Sequence, residues 1–242
     1  MTVSLLSFGG YYGYPSDTML YFILVIPAVI LSIAAQISVK RSYKKFSEIY
    51  SRSGYSGAQA AAAVLKYYGI FNVRIEQCSG QLSDHYDPRD NVIRLSEGVF
   101  TSTSVAAIGI ACHEAGHAAQ YADSYLPIKI RNVILPVCKI GSYAGVPLAM
   151  LGLLVSFDPL VDIGLLLYAT IMIFQLATLP VELNASKRAL DVIDETGLLR
   201  NEDEYKGAKK VLMCAAMTYV AALAVSLGNL LRILIMFSRR RR

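Results

Sequence analysis

Four long apolar runs constrain this 242-residue chain more than any other feature of it. Met19 to Val39 contains no charged residue and, as a helix, is long enough to cross a hydrocarbon layer about 30 Å thick. Pro27 predicts a kink inside it. A cleaved signal peptide would need a basic start and a shorter apolar core, whereas residues 1–18 hold no Lys or Arg and only Asp17 as a charge. The run therefore reads as an uncleaved anchor. Val133 to Phe157 and Leu160 to Pro180 predict an antiparallel hairpin of spans, with Asp158, Pro159 and Asp162 at its turn. Lys139 is costly at a bilayer centre, so it either snorkels or marks where that span begins. The fourth run, Val211 to Phe237, is interrupted by Gly228, Asn229 and Arg232. It reads as either a fourth span or a helix docked on the soluble part.

A net charge of +5 would suit a nucleic-acid binder, but the basic residues sit next to the apolar runs. Lys40, Arg41, Lys44 and Lys45 follow the first run, and Lys129 with Arg131 precede the second. The segments before the first run and between the second and third have none. The positive-inside rule then predicts a multi-pass protein of the cell membrane, with residues 40–131 and 181–210 in the cytoplasm and no nucleic-acid partner. Arg239 to Arg242 favour a cytoplasmic C-terminus, which argues for three spans where hydrophobicity argues for four. Cys78, Cys112, Cys138 and Cys214 form no C-x-x-C pair, so isolated and mostly buried thiols are expected.

Between the runs, Ala58 to Tyr68 is rich in helix formers and ends at Gly69, a residue suited to the C′ position. Asn72 to Gln77 and Asn91 to Leu95 read as short strands, with Asp87-Pro88-Arg89-Asp90 as a turn before the second. Ser102 to Ser104 offer N-caps for a helix from about Val105 to Tyr121. The expected fold is mainly α and integral to the membrane: three or four transmembrane helices and a cytoplasmic α+β part with a small sheet. Four segments follow: residues 1–39 with the first span, 40–131 as the cytoplasmic part, 132–180 as the hairpin, and 181–242 with the two remaining helices.

The chemistry-bearing stretch is His113-Glu114-Ala115-Gly116-His117, in a chain with only three histidines. Residues four apart share a helical face, so His113 and His117 can both reach one metal ion, zinc by ligand type. Glu114 stands one residue round the helix, where its carboxylate can act on a water. A catalytic zinc takes a third protein ligand, and either Glu182 or His85 could supply it. His85 could instead contact the substrate or the reaction intermediate, and the Tyr219 hydroxyl could face the tetrahedral intermediate.

H-E-A-G-H followed by E-x-x-A-S-x-R-A, from Glu182, resembles the glutamate-zincin membrane proteases of the Ste24 and HtpX kind. The runs D-H-Y-D-P-R and R-L-S ahead of the motif make the chain more closely similar to the YugP-type neutral zinc metallopeptidases of bacterial membranes. This resemblance covers most of residues 40–235. It implies that Glu182 is the third zinc ligand and Glu114 the general base. Relatives often have Asp where Ser186 stands, and a serine can orient a ligand histidine only through a weaker, uncharged hydrogen bond. The resemblance also implies that Asn91, Val92 and Ile93 belong to an edge strand that pairs with extended substrate.

The function expected is hydrolysis of peptide or membrane-protein substrates at the bilayer by zinc-activated water, with Glu114 as general base and later as acid to the leaving amine. Two other readings compete. In an intramembrane protease the motif would lie within a span, yet Gln120, Asp123 and Ser124 follow it closely. In a non-catalytic scaffold the zinc site would close with four protein ligands and would not need Glu114.

Overall fold

A computed structural model describes residues 16–240, with the backbone alone at 239 and 240. The N-terminal part of the first segment and the final two arginines lie outside the described residues. Ser16 caps the first helix, its hydroxyl accepting from the Met19 N–H at 3.2 Å. That helix runs continuously from Asp17 to Ser47 as α1 (Asp17–Leu20), a π-helical turn (Tyr21–Val25) and α2 (Ile26–Ser47). The feature expected at Pro27 takes the form of this π turn. Pro27 has no N–H to donate, and just ahead of it the Ile26 N–H bonds to the Tyr21 carbonyl, five residues back.

The hairpin is formed by α6 (Leu126–Leu154) and α7 (Asp158–Thr196). Small residues let their backbones approach: a Cβ on Gly164 would lie 2.4 Å from the Ala149 nitrogen, so no larger side chain fits. α7 continues through Pro180 without a break and stops at Gly197, whose φ of 65° is the left-handed conformation that closes a helix. The helix carrying Glu182 is thus continuous with the third apolar run, about 58 Å long at 1.5 Å per residue, roughly twice the hydrocarbon thickness.

α8 (Glu202–Arg240) is a fourth helix long and apolar enough to cross a membrane. It lies antiparallel to α2, with Gly228 against Leu24, Cys214 Sγ 3.2 Å from Ser38 Oγ, and Gly207 against Phe46. Its first turns also pack on the motif helix, where Gly109 meets Ala208. The last apolar run is thus long and apolar enough to cross a membrane, and the start of its helix also docks on the soluble part. The molecule is a multi-pass membrane protein, mainly helical, with a small mixed sheet.

The part bearing the site is built from α3 (Gly57–Tyr67), strands β1 (Arg74–Cys78), β2 (His85–Asp87) and β3 (Val92–Ser96), the short α4 (Glu97–Phe100) and α5 (Val105–Ala122). Ser56 and Gln59 form a capping box at the start of α3, and Gly69, at φ 67°, follows its end. Ser104 caps α5 by accepting from the Ala107 N–H. Val64, Leu95, Val105, Ile108, Cys112, Val192 and Ile193 are fully buried in the shared core. Each of the larger aliphatic side chains contributes about 1.5–3 kcal/mol to holding α5 on α3, β3 and α7. All four cysteines are free, and burial pushes the Cys112 thiol far above its ordinary range.

The sheet order is β1-β3-β2, β1 parallel and β2 antiparallel to β3. This corrects the expectation for Asn91, Val92 and Ile93. β3 is the central strand, both its edges are already paired, and Val92 and Ile93 are fully buried. Asn91 sits at φ 49° in the turn before it and accepts from the Tyr86 hydroxyl at 2.8 Å. The strand at the site's edge is β2, which the sequence reading missed. Arg94 holds it in place, donating to Asp87 at 3.1 Å and to Asp90 at 2.7 Å.

Candidate metal centre and its cleft

α5 presents His113 and His117 on one face, their rings 4.7 Å apart, as the i, i+4 spacing requires. α7 crosses close by because Gly116 has no side chain: a Cβ there would lie 2.7 Å from the Ala185 carbonyl oxygen. That approach carries Glu182 to the histidines, with its Oε2 3.4 Å from His113 Nε2 and 3.6 Å from His117 Nε2. Ligand atoms of His113, His117 and Glu182 all lie within 4.8 Å of one another and could hold a metal ion.

The opposite ring nitrogens are already engaged. His113 Nδ1 is 3.1 Å from Ser186 Oγ, and His117 Nδ1 is 3.0 Å from Gln120 Oε1. An amide oxygen can only accept, so it takes the proton of His117 Nδ1 and leaves Nε2 as the nitrogen that a metal could use. Ser186, which can accept in the same way, suits the same tautomer at His113.

Glu114 and Glu182 are 9% and 6% exposed, and among the described residues neither pairs with a lysine or arginine. Two buried carboxylates without a cation are costly, so the site favours positive charge. The same field acts on His117. Burial works against its charged form, but the Glu182 hydrogen bond and the charges of Glu114 and Glu182 win and raise its pKa above the usual 6.5. A proton therefore competes with a metal for this nitrogen.

Glu114 is held from the sheet, its Oε2 accepting from the Tyr86 N–H of β2 at 3.0 Å. Its other oxygen is left for the cleft. This cleft, 630 Å³ in volume, is walled by β2 on one side and by Ile128, Arg131, Asn132 and Leu135 of α6 on the other. His85 lines it but stands outside the cluster of three, with Nδ1 donating to the Ser83 carbonyl at 2.7 Å. Tyr219 of α8 also lines it, with its phenol beside Glu182.

A family model described as "Putative neutral zinc metallopeptidase" matches residues 21–238. The chain belongs to this neutral zinc metallopeptidase family. It is also 43% identical over 219 residues to "Putative membrane protease YugP" of Bacillus subtilis (strain 168), covering 90% of this chain and 97% of that relative. No solved structure matches. The family name implies zinc, and the donor set fits it: two imidazole nitrogens with their far sides satisfied, one carboxylate, and surplus negative charge.

Three neighbours of the site escaped the sequence reading. Gln120 is fully buried and, besides His117, holds the Val181 carbonyl at 2.7 Å and Asn184 Oδ1 at 2.9 Å. It sews the last turn of α5 to the turn of α7 that carries Glu182. Arg188 extends this chain, donating to Asn184 Oδ1 at 2.9 Å and to Asp123. The only sequence signal for Gln120 is its place three residues after His117, on the same helical face. Arg131 was read as a topological marker, yet it lines the cleft with its Nε buried and without a hydrogen-bond partner. Gln120→Ala should weaken metal affinity by about 10–100-fold while the protein stays folded, read by competition with a chelator. Unchanged affinity would show that His117 needs no support from Gln120.

Proposed function

We propose that this protein is a membrane-embedded zinc endopeptidase whose metal is held by His113, His117 and Glu182. The observation that carries this reading is the convergence of those three ligands from two helices beside a buried Glu114 that, among the described residues, pairs with no lysine or arginine. Zinc bound there would supply Lewis-acid polarisation of the scissile carbonyl and a more acidic water. Glu114, aimed by the Tyr86 N–H, accepts the water's proton and returns it to the leaving amine. Ser186 and Gln120 hold the two imidazoles in the metal-binding tautomer. Tyr219 and His85 face the reacting carbonyl's oxygen from α8 and β2, and the Arg131 guanidinium meets a substrate oxygen. Extended substrate lies along the outer edge of β2, in the role expected of β3. Removal of the metal by a chelator should abolish peptide hydrolysis, and stoichiometric zinc should restore it. Hydrolysis that persists after complete metal removal would refute the reading.

The competing readings fit less well. α5 is not among the four helices long and apolar enough to cross, which disfavours cleavage within the bilayer. A structural zinc would close its shell with a fourth protein ligand, and among the described residues the cluster has three. We further propose that the site faces the cytoplasm. Lys40, Arg41, Lys44 and Lys45 of α2, Lys129 and Arg131 of α6, Lys187 and Arg188 of α7, and Lys206, Lys209 and Lys210 of α8 all lie at the helix ends nearest the site. A cysteine placed at Arg52 or Glu195 should resist impermeant reagents in intact cells, and one at Asp158 should react. The reverse pattern would invert the topology.

A further inference from the structure

We propose that the groove between α2 and α8 is a binding site for the phosphate of an anionic phospholipid. The groove, 470 Å³ in volume, is lined by Ala34, Ile37, Arg41, Ser42, Lys45 and Lys210, among others. It shares no lining residue with the cleft at the metal centre.

Three observations meet here. The first is register. Leu24 faces Gly228, Ser38 faces Cys214 and Phe46 faces Gly207 across the antiparallel pair, which sets Arg41 and Ser42 level with Lys210 and Val211. On α2 the uncharged run ends at Val39, and on α8 it begins at Val211. Both helices thus change from apolar to basic at one height, where the bilayer surface must pass. The groove straddles that height. Ala34 and Ile37 lie within a hydrocarbon layer, while Arg41, about 6 Å beyond Ile37 along the helix, meets headgroups together with Lys45 and Lys210.

The second observation is charge without a carboxylate partner. Among the described residues none of Arg41, Lys45 and Lys210 makes an ion pair, Lys45 lying instead over the Phe46 ring at 5.3 Å, whereas Lys187 and Lys206 each take a carboxylate one helical turn away. The third is Ser42. It is only 7% exposed, lines the groove, and its hydroxyl is buried with no hydrogen-bond partner. Burying a hydroxyl unsatisfied is costly, and a serine at this place could instead donate to a neighbouring helix carbonyl, as Ser47 does at 2.9 Å. Three cations lining the groove beside Ser42 match a phosphate's spread charge and several acceptor oxygens. The apolar wall above them matches the acyl chains joined to that phosphate, which free phosphate lacks.

The test uses the full-length protein, purified in detergent and delipidated, with binding read by native mass spectrometry. Phosphatidylglycerol, phosphatidylcholine and inorganic phosphate form separate arms. Phosphatidylglycerol should bind at least about tenfold more tightly than phosphatidylcholine, and inorganic phosphate should not displace it. The variant R41Q/K45Q/K210Q should bind phosphatidylglycerol about a hundredfold more weakly, at about fivefold per cation. K40Q/K44Q/K209Q removes the same charge from positions outside the groove and should leave affinity within about threefold. Should the first variant fail to fold by circular dichroism, the single changes Arg41→Gln and Ser42→Ala, each expected to cost about fivefold, decide instead. Equal losses in the two triple variants, equal binding of the two lipids, or displacement by inorganic phosphate would overturn the proposal.

Discussion

Glu114→Gln is expected to keep its metal and its fold while turnover of a peptide substrate falls by about two to four orders of magnitude, the range for loss of a general base. The substitution is nearly isosteric, and an amide oxygen can still accept from the Tyr86 N–H at the 3.0 Å that Glu114 Oε2 uses. What disappears is the ability to take a proton. The side chain is 9% exposed, so bulk water cannot easily replace it as a base. Because the fault lies in proton transfer, kcat should fall with KM nearly unchanged. Turnover equal to wild type would end the case for hydrolysis by this site. Loss of metal from this variant would instead make Glu114 a ligand.

The second large effect separates ligands from neighbours. His113→Ala, His117→Ala and Glu182→Ala should each cost metal affinity severely, to the point of zinc loss under a competing chelator. His85→Ala should keep its metal and lower catalysis alone. Glu182 Oε2 lies within 3.6 Å of both imidazole Nε2 atoms, whereas His85 is on β2, outside the cluster. Removing Glu182 also relieves a buried carboxylate, so the apo protein should remain folded, and metal loss would not be a by-product of unfolding. Zinc retained by Glu182→Ala but lost from His85→Ala would reverse the assignment.

Where the sequence failed, it failed at contacts that no local pattern encodes. β2 is three residues long, too short for alternation to register, and it exists as a strand because Arg94 ties Asp87 to β3 while Tyr86 meets Glu114. The family resemblance, not any pattern in those residues, places the substrate edge at Asn91 to Ile93. The burial pattern of β3, fully enclosed at Val92, Ile93 and Leu95, is what a central strand produces. The segment boundary at Pro180 implies a separate helix from residue 181, but α7 tolerates the loss of the hydrogen bond that the proline ring removes and runs on. Gln120 read as a sign that the helix was turning polar. Its three hydrogen bonds need Val181 and Asn184, and only packing brings those residues near.

The sequence by itself determined what depends on neighbours along the chain. Apolar runs long enough to span appear as helices, Ser104 caps α5, Gly69 follows the end of α3, and His113 and His117 share a face because a helix repeats every 3.6 residues. The tertiary structure alone decided the rest: the order of the sheet, the meeting of Glu182 with the histidines across the bare Gly116, and the common height at which α2 and α8 turn basic. Those features join faces of elements far apart in sequence. Their geometry comes from how buried side chains fit together, and no window of the chain contains it.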